Sequence, residues 1–327
     1  MAPPTNGDSI SGHDLAATYK DQIKDKVILV TGTSQNSLGE EYCLAIAKFE
    51  PKLLILAGRN AEKLEFTTNA IAKVNPNVAT KTLNLNLESL SEVKEAADII
   101  NSWDDVPYID VFCHNAAIMG TAYGTTMDGF ERQLGVNYIA TWVFTNTILP
   151  KILKSQDPRI VLLGSDGHRW GPIRWHDHNF KGGENYNKWH AYGQSKTAVH
   201  LYALHLGKVL GKKAQVFSLN PGVIQTPLGA HVDWASEFRD IIRIDLELGN
   251  DESVNGWPKY KSREAGIATS VYASFDPDLA DYTGAYLSDC QVANPYVHTV
   301  RPWASSEVEA TKLWKWTEQL TNARFSF

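Results

Sequence analysis

Short apolar runs that lead into helical segments recur along this chain, and that alternation restricts the fold more than any other feature. "KVILVTG", "KLLILAGR", "IDVFCHNAA", "RIVLLGS" and "AQVFSLNPG" are apolar along most of their length, and "VATKTLNLNL" and "GAYLSDC" read as further strands. A strand that is apolar in both directions has to be covered on both sides. Between these runs, apolar residues fall at helical spacing in "LGEEYCLAIAKFE", "NAEKLEFTTNAIAKVN" and "ESLSEVKEAADIINSW", with Asn60 placed to cap the second. The pattern predicts a long helix over roughly 126–154, another over about 189–211, and a last one in "SEVEATKLWKWTEQL". Strands alternating with helices specify an α/β fold, a doubly wound parallel sheet with helices on both faces. The alternation predicts one domain over residues 25–327, preceded by a flexible or strapped tail, 1–24. Two stretches are less regular, 166–188 and 226–262. Each follows a strand carboxyl end, where such folds bind ligands.

Composition narrows the function. Hydrophobic residues make up 43% of the 327 residues and charged residues 21%, enough for a sizeable core. The net charge of −6 comes without a Lys/Arg block, so nucleic acid is not an expected partner. "MAPPTNGDSISGHD" has no apolar segment of the secretory kind, and no stretch reaches 18 apolar residues, so no membrane span is expected. Cys43, Cys113 and Cys290 form no CxxC pair, which excludes a zinc ribbon or dithiol motif. Cys43 and Cys113 sit in apolar runs and read as buried small hydrophobes. A reducing, cytoplasmic setting fits this usage.

"TGTSQNSLGEE" follows the first strand and opens a helix, the setting in which a Gly-rich turn cradles a pyrophosphate. Gly32 permits the tight turn and Gly39 close packing, while Ser34, Asn36 and Ser37 carry groups able to donate to phosphate oxygens. The second strand ends in "AGRN". An NAD site places an acid at that end; here Arg59 stands there with Lys63 nearby. A guanidinium suits a 2′-phosphate, so the reading favours NADP(H). In "AYGQSK", Tyr192 and Lys196 share one helix face. A neighbouring ammonium favours a phenolate, which predicts a lowered Tyr192 pKa and a usable general acid or base.

"TGTSQNSLG", "HNAA", "GVN", "RIVLLGS", "AYGQSK" and "NPGVIQT" occur in one order. That order resembles the short-chain dehydrogenase/reductase superfamily over about residues 25–320 and implies its single-domain Rossmann-type fold. The resemblance implies Tyr192 as catalytic acid/base, Lys196 as its activator and as a holder of the nicotinamide ribose, Ser165 as the hydroxyl on the substrate oxygen, and Asn137 as the holder of a relay water. It implies cofactor contacts at the glycine-rich turn (Gly32, Ser34, Asn36, Ser37, Leu38 and Gly39), at Arg59, and at Asn86 and Leu87. Further contacts are implied at Asn115, Ala116 and Ala117, and at Pro221, Gly222, Val223 and Thr226. Departures are a loop one residue longer than the common form, Ser37 at the middle glycine, "HNAA" for "NNAG", and Asn86 for an aspartate. The closing "LWKWTEQL" resembles the retinol-dehydrogenase-like group and its filamentous-fungal relatives, which act on lipophilic or polyketide-type carbonyls of secondary metabolism. The membrane anchor of many retinol dehydrogenases is not expected here.

The first irregular stretch carries Trp170, Trp175 and, at its end, Trp189, with four histidines; the second carries Trp234 and Trp257. Clustered aromatics near a catalytic end predict either a wide apolar pocket or packed loops. His168, Trp170, Trp175 and Trp234 are the expected substrate contacts. His176 and His178 form an HxH without a partner pair, so loop hydrogen bonding is expected there and no metal. The expectation is an NADP(H)-dependent oxidoreductase that reduces a ketone or aldehyde or oxidises the alcohol. Its rivals are C=C reduction or redox-neutral chemistry on the same scaffold, and a non-catalytic NADP-binding sensor or scaffold. The resemblance also implies a homodimer or homotetramer paired through the Tyr192 helix and the next one.

Overall fold

The computed structural model describes residues 10–253, 256 and 260–327. Its eight-stranded sheet has the order β3-β2-β1-β4-β5-β6-β7-β8. The strands are β1 (Val27–Thr31), β2 (Leu53–Gly58), β3 (Ala79–Asn84), β4 (Val111–His114), β5 (Arg159–Leu163), β6 (Gln215–Asn220), β7 (Tyr286–Ser288) and β8 (Gln291–Val292). Pairing is parallel from β3 to β7, and β8 closes the edge antiparallel. The order reverses between β1 and β4, which opens a crevice at their carboxyl ends.

Register explains why the strands are apolar on both faces. Leu56, Val30, Cys113, Val161 and Phe217 line up across the sheet and face one core. Their neighbours Ile55, Leu29, Phe112, Ile160 and Val216 face the other. Each such side chain contributes roughly 1.5–3 kcal/mol by leaving water. The first core is covered by α1 (Gly12–Thr18), α2 (Lys20–Ile23), α3 (Leu38–Ala47) and α4 (Ala61–Val74), with α10 (Arg263–Gly266) and α11 (Ala268–Phe275). The second lies under α5 (Leu90–Ser102), α6 (Arg132–Leu134), α7 (Ala140–Ile152), α8 (Lys188–Leu210) and α13 (Glu307–Thr321). The remaining helices are α9 (Trp234–Glu247) and α12 (Pro302–Ser305).

Side-chain caps set most helix starts. Asn60 accepts from the Lys63 amide at 3.0 Å, as its position in the sequence predicts. Residues 10–23 are strapped: Ile10, Leu15, Ala16, Tyr19 and Ile23 are buried, and the Tyr19 hydroxyl donates to Asp276. The helix expected from about 126 starts later. Glu131 caps the amides of Gln133 and Leu134, and Gly129 just before it turns at φ +83°. Residues Gly135–Ile139 then form a π-helical turn between α6 and α7. Within the second irregular stretch, Trp234–Glu247 form a helix that was not expected, since Asp233 caps α9 and Ile241 and Ile244 bury one side of it. Cys43, Cys113 and Cys290 are free and buried. Among the described residues no helix is long and apolar enough to cross a membrane.

The chain covers the outer side of α8 with its own α13. Trp314 stacks on Tyr202 and meets Trp142 edge-on at 5.3 Å, and Phe325 packs on the same Trp142 at 5.0 Å.

Candidate active site

A cleft of about 1080 Å3 opens along the carboxyl ends of the strands. Its nucleotide half is built at the switch point. Gly32 adopts φ +71°, and a Cβ there would stand 2.7 Å from the Ala116 Cα. A Cβ on Gly39 would meet the Gly32 carbonyl at 2.5 Å, so both glycines are demanded by close packing. Asn115 donates to the Gly32 carbonyl at 2.8 Å, and the amides of Asn115 and Ala116 donate to the Thr31 hydroxyl. Gly32, Ser34, Ser37, Leu38, Asn115, Ala116 and Ala117 all line the cleft. The start of α3 presents unsatisfied helix amides there, and the buried Thr33 hydroxyl has no partner in the protein. A pyrophosphate fits this cradle.

Three expected phosphate or adenine contacts are otherwise engaged. The Ser37 hydroxyl donates to Gly32 and caps Glu40. The Asn36 side chain accepts from Arg263. Asn86 donates to Glu92 and caps the Glu88 amide, while Leu87 is buried in the core; neither lines the cleft. Arg59 and Lys63 do line it. The Arg59 side chain is 71% exposed and lies 3.4 Å from the Glu88 carboxylate.

His114 replaces an asparagine of the family pattern, and its environment explains how. Thr31 accepts two amides, so its own proton goes to His114 Nδ1 at 3.1 Å. His114 Nε2 then donates to Thr141 at 2.8 Å, and Thr141 donates to the Asn137 carbonyl. Burial pushes the His114 pKa down to about 3, so the ring is neutral as this chain requires.

The chemical half gathers Ser165, Tyr192 and Lys196. Ser165 follows β5, and its hydroxyl accepts from the Gly167 amide at 3.0 Å and leans on the Asp166 carboxylate at 3.4 Å, with the Tyr192 ring against the same Gly167. Lys196, one turn along α8, donates to the Leu163 carbonyl at 2.8 Å. Asn137 sits in the π turn, behind the cleft wall, bonded to both backbone groups of Ile118 and to Ser195. Pro221, Gly222, Val223 and Thr226 form the wall after β6.

The expected lowering of the Tyr192 pKa is reversed. Burial raises it, the nearby Ser165 hydroxyl offsets only part of that rise, and the Asp166 carboxylate adds to it. Burial also pushes Lys196 down to about 7, which weakens the positive charge it offers the phenol. Both shifts come from desolvation, which residue spacing does not report.

The tryptophans divide. Trp170 and Trp234 line the cleft, and Trp170 lies 6.1 Å from the Tyr192 ring. Trp189 is wedged behind them, stacked on Trp234 at 5.7 Å. Trp175 faces away: it donates to Glu309 and packs on Trp316, so it anchors α13 and not a substrate. His168 is likewise withdrawn, with Nδ1 on the Ser165 carbonyl at 2.8 Å and Nε2 on the Arg301 amide. Trp257 lies outside the described residues. His178 packs edge-on against Trp316. Among the described residues one trio could share a metal ion, His13, Glu41 and Glu264; it lies apart from the cleft, with Lys48 and Arg263 against it.

Residues that sequence reading did not single out complete the substrate half. Asp166 and the buried Arg169 line it as an ion pair, with Asp245 on the far side of the guanidinium. Phe238 and Ile241 join Trp234 on the cleft wall. Positions 234, 238 and 241 follow helical spacing, a signal legible in the sequence.

A family model described as short chain dehydrogenase matches residues 26–177. Retinol dehydrogenase 13 of Homo sapiens is 32% identical, over 91% of this chain and 85% of that protein. Short-chain dehydrogenase/reductase prx1 of Penicillium roqueforti is 30% identical, over 98% of this chain and 91% of that one. Among solved structures, an uncharacterized protein from Mycobacterium paratuberculosis superposes with a TM-score of 0.67 at 24% identity, covering 93% of this chain and 96% of that one. A Shigella flexneri protein described as a short chain dehydrogenase complexed with NADP gives a TM-score of 0.59 at 21% identity, covering 83% and 100%.

Proposed function

The chain belongs to the short-chain dehydrogenase/reductase family of oxidoreductases, and from that premise we propose that it is an NADP(H)-dependent reductase of lipophilic or aromatic ketones or aldehydes. One observation carries the reading: Ser165, Tyr192 and Lys196 line the cleft together where its nucleotide half meets its aromatic half, with the Tyr192 ring and the Ser165 hydroxyl both against Gly167. Bound nucleotide supplies hydride to the carbonyl carbon. Ser165 and Tyr192 hold the carbonyl oxygen, and Tyr192 gives it a proton as negative charge develops. Burial keeps the phenol protonated through the neutral range, the form a reduction consumes. Lys196, titrating near neutrality, returns a proton to it.

The glycine-rich turn and the start of α3 would hold the pyrophosphate, Asn115 to Ala117 the adenosine side, and Pro221 to Val223 with Thr226 the nicotinamide side. Arg59 and Lys63 line the cleft and would take a 2′-phosphate, which supports NADP(H) over NAD(H). Trp170, Trp234, Phe238 and Ile241 favour an apolar substrate. The human relative is named for retinol and the fungal one only for its family, so the comparison supports lipophilic carbonyl chemistry without choosing a compound. Because α13 covers the outer side of α8, we infer a monomer. The three free cysteines support a cytosolic setting.

Fluorescence titration of the purified chain with NADPH and NADH, followed by turnover of aromatic and aliphatic carbonyls, tests the reading. NADPH binding with carbonyl turnover upholds it. Binding without turnover of any carbonyl or alcohol moves the chain to the sensor or scaffold class.

A further inference from the structure

Three side chains of α8, each one turn apart, reach the same short stretch of backbone. The Tyr192 ring lies beside the Ser165 hydroxyl, Lys196 bonds the Leu163 carbonyl, and His200 the Ser165 carbonyl, with its Nε2 at 3.1 Å. From the opposite side His168 Nδ1 reaches that same Ser165 oxygen at 2.8 Å. The His168 backbone amide also approaches that oxygen, at the longer distance of 3.3 Å, and the two closer imidazole donors take its two lone pairs. The other ring nitrogens find complementary partners. His200 Nδ1 takes the Ser218 hydroxyl at 2.8 Å, and His168 Nε2 takes the Arg301 amide at 3.2 Å. The Ser165 amide is 3.5 Å from His200 Nε2, too long to compete for it.

Each imidazole is therefore neutral, with one tautomer selected by its neighbours. Burial supports this, holding His168 at about 4 and His200 well below its ordinary value. The rings meet edge-on at 4.9 Å. A Cβ on Gly164 would stand 2.1 Å from the His200 ring, so the imidazole lies directly on the backbone that precedes Ser165.

We propose that His200 is a positioning residue for carbonyl reduction, clamping Ser165 through its carbonyl oxygen with His168 as the second jaw. The proposal rests on the reading of Ser165 as the hydroxyl that holds the substrate oxygen. His200 does not line the cleft, so it acts through Ser165 alone. Two bonds on one peptide oxygen fix the rotation of that peptide, and with it the direction of the hydroxyl. Misplacing a reacting group by about 1 Å costs about a hundredfold in rate.

The test compares kcat of the full chain with NADPH and 4-nitrobenzaldehyde as probes. His200→Leu is expected to lower kcat by about ten- to a hundredfold with NADPH binding unchanged. His200→Gln, whose amide reaches the same carbonyl, is expected to recover most of it. In a Ser165→Ala background the His200→Leu change should cost less than about twofold, because the group it positions is gone. His200→Asn, polar but too short to reach Ser165, carries the comparison if the leucine variant does not fold. An equal loss in both backgrounds, or no loss with Ser165 present, overturns the clamp. Wild-type kcat in Ser165→Ala alone would instead overturn the reading of Ser165, and the clamp with it.

Discussion

The Lys196 ammonium is tied to the Leu163 carbonyl at 2.8 Å, while its nitrogen stands 5.7 Å from the centre of the Tyr192 ring. Anchored to the sheet and pushed down to about 7, it is suited in the proposed mechanism to returning a proton more than to pulling the phenol toward ionisation. In the proposed reduction Tyr192 therefore holds its proton until a carbonyl oxygen takes it.

Replacing Tyr192 by Phe should lower kcat by about 10²–10⁴-fold and leave NADPH affinity within about twofold of wild type. Steady-state kinetics and fluorescence titration measure the two quantities. A fully active variant would remove Tyr192 from the mechanism.

Three buried imidazoles link stability to acid. His114 is pushed down to about 3 and His168 to about 4, and His200 lies well below 6.5. Between about pH 6.5 and 4 the unfolded chain carries protons on these groups that the folded chain refuses, so stability falls as pH falls. Each imidazole contributes up to about 1.4 kcal/mol per pH unit in that window. Urea unfolding at pH 7, 6 and 5 should show the decline, and His200→Gln should flatten it by one group's share. Identical slopes in the two chains would contradict a buried neutral His200.

Two tryptophans of the irregular stretches should respond oppositely to truncation. Trp234→Ala is expected to raise KM for aromatic carbonyls about tenfold with little change in unfolding midpoint. Trp175→Ala should leave KM alone and cost about 1–3 kcal/mol of stability, since its indole donates to Glu309 and carries Lys312 over its face.

Arg59→Ala should weaken NADPH about tenfold or more and leave NADH unchanged, the loss of one charge-assisted contact. Glu88, 3.4 Å from that guanidinium, opposes it. Glu88→Gln should therefore tighten NADPH. Isothermal titration of both nucleotides reads both effects, and equal losses for NADPH and NADH would make Arg59 a bystander.

Light scattering on a sizing column should give the mass of one chain at micromolar concentration. Trp314→Ala, which strips the packing between α13 and Trp142, should shift the chain toward self-association. A wild-type dimer would mean that a surface other than the covered side of α8 pairs.

The sheet and the chemical groups were legible because their signals are local. Five successive buried residues in β1 read as a two-faced strand, and Asn60 read as a cap three residues from its partner. Tyr192 and Lys196 were readable because a helix turn separates them. What escaped depends on distant chain. Trp170 and Trp175 lie five positions apart in similar company, yet one lines the cleft and the other bonds Glu309, 134 residues away. The role of His168 depends on Arg301, and that of His200 on Ser218 and Ser165, none of which periodicity can supply. The stripe at Trp234, Phe238 and Ile241 was present in the sequence, but the charged residues between its members masked it.

The covering of α8 by α13 also sets a timetable. During synthesis the strands emerge first, and Arg301, Trp303 and α13 follow them. Domains begin to fold from the leading end. The helix that carries Tyr192, Lys196 and His200 forms with its outer side bare, and its cover arrives only with Trp314. Arg301 and Trp303, which hold His168 in place, come in the same late segment. A nascent chain halted before Arg301 has every strand and most of the cleft, yet one jaw of the clamp on Ser165 is still unsupported. If the proposed clamp holds, such incomplete copies would reduce carbonyls more slowly than the finished chain.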